Sequence, residues 1–160
     1  MHRAVVTGSA GAPYLPGMMA LRAGRLLEET VLSLTEAPDV VLLDATGRDH
    51  PRRAGLARHL GAVLELPTAG VTHRPLQATG DWPTERRGAT SPLTIGGEVV
   101  GCWLRTRSGT RPLAVHPGWR TDLAAAVDIV LRTTGRRRTP EPLRGSRELA
   151  RRARAQRPSR

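Results

Sequence analysis

Two short apolar runs constrain this chain more than anything else in it. Asp39 to Asp44 reads DVVLLD and Thr68 to His73 reads TAGVTH, each bounded by loop-forming residues and each too short for a helix. An unbroken apolar run of that length is what a strand covered on both faces shows. Between them Leu56, Leu60, Val63 and Leu64 recur at helical spacing. Strand, helix, strand in that order predicts parallel strands joined by a right-handed crossover, and so an α/β chain with a parallel core.

The rest of the chain is arranged around that unit. Arg3 to Thr7 (RAVVT) predicts a short strand running into GAPYLPG, whose two prolines and two glycines make an irregular loop. That loop holds the only tyrosine, Tyr14, between prolines that restrict its backbone, so its ring is expected to project. Leu27, Val31 and Leu34 mark a helix within Met18 to Leu34, ended by Pro38. Arg74 to Pro92 is polar and broken by Pro and Gly, which predicts a loop. Gly96-Gly97 then turns into a strand from Glu98 to Thr106, with PLAVH as its antiparallel partner beyond an SGT turn. Leu123, Val127, Val130 and Leu131 give a third helix. If DVVLLD and TAGVTH pair, about 5 Å apart, Asp44 and His73 share one rim of the sheet. That rim is where open α/β sheets place ligands.

Charge divides the chain. All 25 basic residues are arginine, and 11 of them fall between Arg132 and Arg160 against two glutamates. Residues 1–135 are therefore expected to form the folded domain, and 136–160 an arginine-rich C-terminal tail that is partly disordered. Such a tail either binds phosphates by counterion release or is a solvated extension. Phenylalanine is absent and aromatics make up 2%, so Leu, Val and Ala must build the core. No apolar run approaches the roughly 20 residues of a membrane span, and MHRAVVTG does not resemble a signal peptide. The single cysteine, Cys102, cannot form an internal disulfide, which fits a cytoplasmic protein. His50, His59, His73 and His116 lack zinc-ligand spacing.

PYLPG, LRAG, VVLLDATGRDHPRRAGLARHLG, PTAGVTHRPL, GEVVGCWLRTR and VHPGWR, in that order, resemble the endonuclease V family from about Gly11 to Arg144. The resemblance implies an RNase H-like mixed sheet flanked by helices. It also implies magnesium-dependent cleavage of DNA or RNA at the second phosphodiester 3′ to a deaminated adenine, inosine or deoxyinosine. Carried over, Tyr14 is the wedge that fills the gap left by an extruded base, flanked by Pro13, Leu15 and Pro16. Gly17, Gly47, Gly55 and Leu56 match positions of the base pocket, and His50 matches the histidine of the HP motif. Ala45 stands where the family has glycine, which hinders backbone approach there.

The catalytic positions match less well. The family's first-strand aspartate precedes Met1, so the sheet is expected to lack the family's first strand or strands and to expose an edge. Three explanations are open: a start codon assigned too far downstream, a shortened chain, or a protein partner that completes the sheet. The family's glutamate falls on Ala23 and its lysine on His73, largely neutral at pH 7 unless its pKa is raised. The histidine of its PGH motif falls on Trp119. Asp44 alone is kept, as metal ligand and catalytic residue, with His73 as a second catalytic candidate. One carboxylate binds magnesium weakly, because the hydrated ion gives up water reluctantly. The expected outcome is an inactive or weakly active endonuclease V-like protein that retains nucleic-acid binding. The alternatives are an active magnesium-dependent deoxyinosine nuclease with a rebuilt metal site, and a non-catalytic scaffold or subunit.

Overall fold

A computed structural model describes residues 2–156. Helix α1 spans Met19–Leu32, strand β1 Val41–Leu43, α2 Leu56–Leu64, β2 Thr68–Thr72, β3 Thr90–Ile95, β4 Glu98–Leu104, β5 Leu113–Pro117, α3 Leu123–Thr133 and α4 Glu141–Ala155. The five strands form one mixed sheet in the order β1-β2-β5-β4-β3. β1 and β2 are parallel, with Val41 opposite Thr68 and Leu43 opposite Gly70. Every other pair is antiparallel.

The predicted parallel core thus reduces to one pair. β5 does not merely extend an appended hairpin; it pairs with β2 on one side and β4 on the other. The strand predicted at Arg3 to Thr7 is irregular chain. The loop predicted over Arg74 to Pro92 ends in β3, which begins at Thr90 and contains Pro92. β3 lies at an edge, the position in a sheet where a proline is tolerated.

Two apolar layers clamp the sheet. On one face Leu43, Ala45, Leu56, Ala57 and Leu60 pack with Ala20 and Leu27, joining α1 and α2 to β1. On the other, Ala69, Val71, Leu113 and Val115 meet Ala126 and Val130 of α3 and Leu143 of α4. Gly70, between Ala69 and Val71, points toward α2, where an added Cβ would strike the Ala45 carbonyl and come 3.2 Å from the Ala57 Cβ. Its missing side chain lets α2 sit close on β2. α3 opens with Asp122, whose carboxylate accepts from the Ala125 N–H at 2.7 Å.

Part of the arginine-rich segment forms helix α4. Leu, Arg, Glu and Ala are strong helix formers, and α4 places Glu141 in its first turn and Arg152 and Arg154 in its last, matching the helix dipole. Leu143 anchors it to the core. Residues 157–160 of the expected tail lie outside the described residues. No helix among the described residues is long and apolar enough to cross a membrane.

Candidate nucleic-acid interface

The Tyr14 loop is stiff because its ends are tied to α1. The Gly11 N–H donates to the Arg22 carbonyl at 3.0 Å, and Arg22 Nη1 donates to the Ala12 carbonyl at 2.7 Å. The same guanidinium lies 6.0 Å from the centre of the Tyr14 ring, within cation–π range. Tyr14 is nonetheless 73% exposed, so the loop presents the ring without covering it.

Beside the ring lies a pocket of about 270 Å³ lined by Tyr14, Leu15, Pro16, Gly17, His50 and Leu56, together with Asp44 and Ala45. Pro13 flanks it at the exposed start of the loop. Gly17 turns the chain at φ 76°, a conformation that a side chain would strain. His50 struts the Tyr14 loop against its own loop: Nε2 meets the Gly17 carbonyl at 2.9 Å, and Nδ1 accepts from the Arg52 N–H at 3.1 Å. Those partners assign the proton to Nε2. Gly47 and Gly55 do not line the pocket. They fold the loop behind it, the Gly55 N–H donating to the Gly47 carbonyl at 2.7 Å, with no room for a Cβ at either residue. Ala45 turns its methyl into the core with Leu43, Leu56 and Leu60.

Asp44 and His73 follow the ends of the parallel pair β1 and β2, so both stand on the predicted rim. Their neighbours come from the C-terminal segment. Arg147 of α4 reaches the Asp44 carboxylate with Nε at 3.1 Å and Nη2 at 2.6 Å, both on Oδ2. Arg138 Nη2 donates to His73 Nδ1 at 2.8 Å. Partial burial pushes the His73 pKa down, the Arg138 and Arg147 charges push it further, and Asp44 opposes them. His73 is therefore neutral at pH 7. Magnesium needs several oxygen ligands, but the rim offers one carboxylate among guanidinium groups. No group of three or more His, Cys, Asp or Glu that could hold a metal ion occurs among the described residues. The residues present do not fit the ion.

Trp119 is misplaced by motif alignment alone. β5 runs antiparallel to β2, so its exit at Pro117 lies beside Ala69, at the entry of β2. The Trp119 N–H donates to Thr68 Oγ1 at 2.8 Å. Trp119 thus sits at the opposite end of β2 from His73, about 17 Å away along the strand, and takes no position at the rim.

Three further residues escape a reading by motif. Asp49, completely buried, accepts from the backbone N–H groups of Leu76, Gln77 and Ala78 at 2.6, 2.7 and 2.8 Å, fixing the loop beside the pocket. His116, also completely buried, has Nε2 3.1 Å from Thr72 Oγ1, and its Nδ1 has no partner among the described residues. Burial lowers its pKa to about 4 against the opposing charge of Asp49. Arg147 lies in what composition marks as tail. The only sequence signal for it is the helix-forming run that starts at Pro140.

A family profile described as Endonuclease V matches residues 1–147. The endonuclease V of Methanopyrus kandleri is 43% identical over 152 residues, covering 95% of this chain and 66% of the relative. The crystal structure of the Streptomyces avermitilis endonuclease V superposes with a TM-score of 0.85 at 39% identity, covering 89% of this chain and 63% of that one. That of the Ciona intestinalis enzyme, in complex with a 24-mer DNA containing an inosine, shares the fold with a TM-score of 0.75 at 23% identity, covering 91% and 69%. The chain spans just under two thirds of the length of the curated relatives it matches.

Proposed function

The chain belongs to the endonuclease V family, and from that premise we propose that it binds nucleic acid carrying a deaminated adenine without hydrolysing it efficiently. One observation carries the reading: Tyr14, Gly17, His50 and Leu56 converge on a single pocket that Asp44 also lines, and Asp44 is already engaged by Arg147.

The pocket lies near the lower end of the size range for small-molecule sites, as suits a single base. Extruding a base from a stack costs a few kcal/mol. A side chain inserted in its place recovers part of that cost, and Tyr14, held by Arg22 and projecting to solvent, is placed to do so. The turn at Gly17 shapes the pocket, the Gly47–Gly55 closure supports the loop behind it, and His50 joins the two loops. DNA and RNA are both accommodated by this account, since none of these groups reads the 2′-hydroxyl. Arg147 of α4 adds a positive charge beside the pocket, which favours a polyanion. A protein partner, if one completes the sheet, would pair with β1. Among the described residues β1 has only β2 as a neighbour, and a groove of about 560 Å³ runs beside Val40 and Leu42. Cytoplasmic residence accords with the buried free thiol of Cys102.

Hydrolysis is where the family's chemistry is lost in this reading. With one carboxylate at the rim, neutral His73 and Ala23 in α1, the divalent ion has no cage and no step is routed through it. Equilibrium binding to single- and double-stranded oligonucleotides with and without inosine, at two salt concentrations, tests the first half. Preference for inosine is expected, and no binding near physiological salt ends the reading. Nicking assays with magnesium and with manganese test the second. Metal-dependent nicking that disappears in Asp44→Ala would overturn the loss of activity.

A further inference from the structure

The rim around Asp44 is not an empty place left by missing ligands; it is filled by cations. Arg147 commits Nε and Nη2 to one oxygen of Asp44, and its Nη1 has no hydrogen-bond partner among the described residues. Arg138 commits Nη2 to His73, while its Nε is buried with no partner among the described residues. Arg111 is close enough to Arg138 for their charges to repel. Two guanidinium groups therefore engage one carboxylate and a neutral imidazole, and the charge of Arg111 adds to theirs. Two features call for an anion: the excess positive charge, and a buried N–H donor that nothing among the described residues satisfies.

We propose that Arg147 takes the cation position at Asp44, and that Arg147 and Arg138 together form a metal-independent site for a phosphate group. Asp44 then serves as a positioning residue, since its carboxylate takes Nε and Nη2 of Arg147 and leaves Nη1 for the phosphate. The fork geometry of guanidinium suits phosphate oxygens. That the phosphate belongs to a nucleic-acid backbone rests on the function proposed above; that the site takes phosphate does not.

The test follows the arginine Nε–H signals of the full chain by NMR. Inorganic phosphate is expected to shift Arg138 and Arg147 and to leave the exposed, Asp128-paired Arg132 in place. Manganese at the same concentration is expected to leave the Arg147 signal sharp. Manganese broadening of Arg147 that vanishes in Asp44→Asn would overturn the proposal, as would equal phosphate shifts at Arg132. A second arm measures an inosine-containing single strand. Affinity is expected to be the same in magnesium and in EDTA. Arg138→Gln should weaken it roughly tenfold, the scale of a charge-assisted hydrogen bond. The variant should also flatten the salt dependence by about one phosphate contact, a log–log slope change of ~0.7. Affinity that requires magnesium overturns the metal-independent site. Phosphate shifts without any oligonucleotide binding uphold the site and sink only the nucleic-acid reading.

Discussion

The pocket under the Tyr14 loop and the rim around Asp44 share a wall, yet they are made of different parts of the chain. The pocket is shaped by backbone: the turn at Gly17, the Gly47–Gly55 closure and the His50 strut to a carbonyl. The rim is shaped by side chains, and those side chains are arginines from 138 and 147. A backbone-built site keeps its form through many side-chain changes, because its donors and acceptors are the same for nearly every residue type. A metal site has no such tolerance, since each ligand must be a particular side chain. The two regions can therefore differ in what they keep of the family's chemistry while the fold is shared.

The largest effect should come from the support beneath the pocket. Asp49→Ala leaves three backbone N–H groups without their acceptor in a fully buried position. A loss of roughly 3–5 kcal/mol is expected, the upper range for breaking a buried charged network. Chemical denaturation measures it. If the comparison is right, the loop from Leu76 to Ala78 loosens while the Asp44–Arg147 pair persists, and hydrogen exchange separates the two. A loss under about 1 kcal/mol would show that the clamp does not hold the pocket.

Next comes acid. His116 is neutral in the fold, with its pKa pushed down to about 4 by burial, but takes a proton below about 6.5 once unfolded. Between those values the unfolded chain binds more protons, so its contribution is complete above pH 6.5 and falls as pH drops toward 4. The loss is roughly 3 kcal/mol across that window. His116→Gln should remove most of this slope. A variant whose stability falls equally steeply would assign the acid sensitivity to other groups.

Much of this layout can be read from the sequence, and the failures have definite causes. α2 follows from the spacing of Leu56, Leu60 and Leu64, because helical burial leaves a local period. β1 and β2 follow from uninterrupted apolar runs. β3 does not, because Pro92 argues against a strand until it is known to lie at an edge. The antiparallel seat of β5 beside β2 has no local signature at all, since register between strands distant in sequence is set by the packed sheet. That one pairing also moves Trp119 to the far end of β2. At the site, the Tyr14 loop and the HP loop are legible as motifs. Arg147 is not, because composition describes its segment only as basic, and its meeting with Asp44 spans 103 residues.

Two substitutions sharpen the pocket side. Tyr14→Ala should weaken binding of an inosine-containing strand by about 1–3 kcal/mol, the scale of one base–aromatic stack, with no change in folding, since the ring is exposed. Unchanged affinity would leave the ring no role in the stack. Gly17→Ala forces a side chain into φ 76° and sets its Cβ 3.3 Å from His50 Nε2. About 1 kcal/mol of stability is expected to go, together with the His50–Gly17 contact.

The smallest stability effect belongs to the rim. Arg147 and Asp44 keep 31% and 50% of their side-chain surface exposed. Water and salt screen such a pair, which contributes at most about 1 kcal/mol. Arg147→Gln should thus leave the denaturation midpoint almost unmoved, while Asp49→Ala shifts it far. The same Arg147→Gln should lower affinity for phosphate, because it removes the charge that Asp44 orients. A residue whose loss costs binding but not folding is part of a site, whereas Asp49, costing folding first, is part of the frame. If Arg147→Gln unfolds the protein as Asp49→Ala does, the distinction between a backbone-built pocket and a side-chain-built rim fails, and α4 is a structural brace.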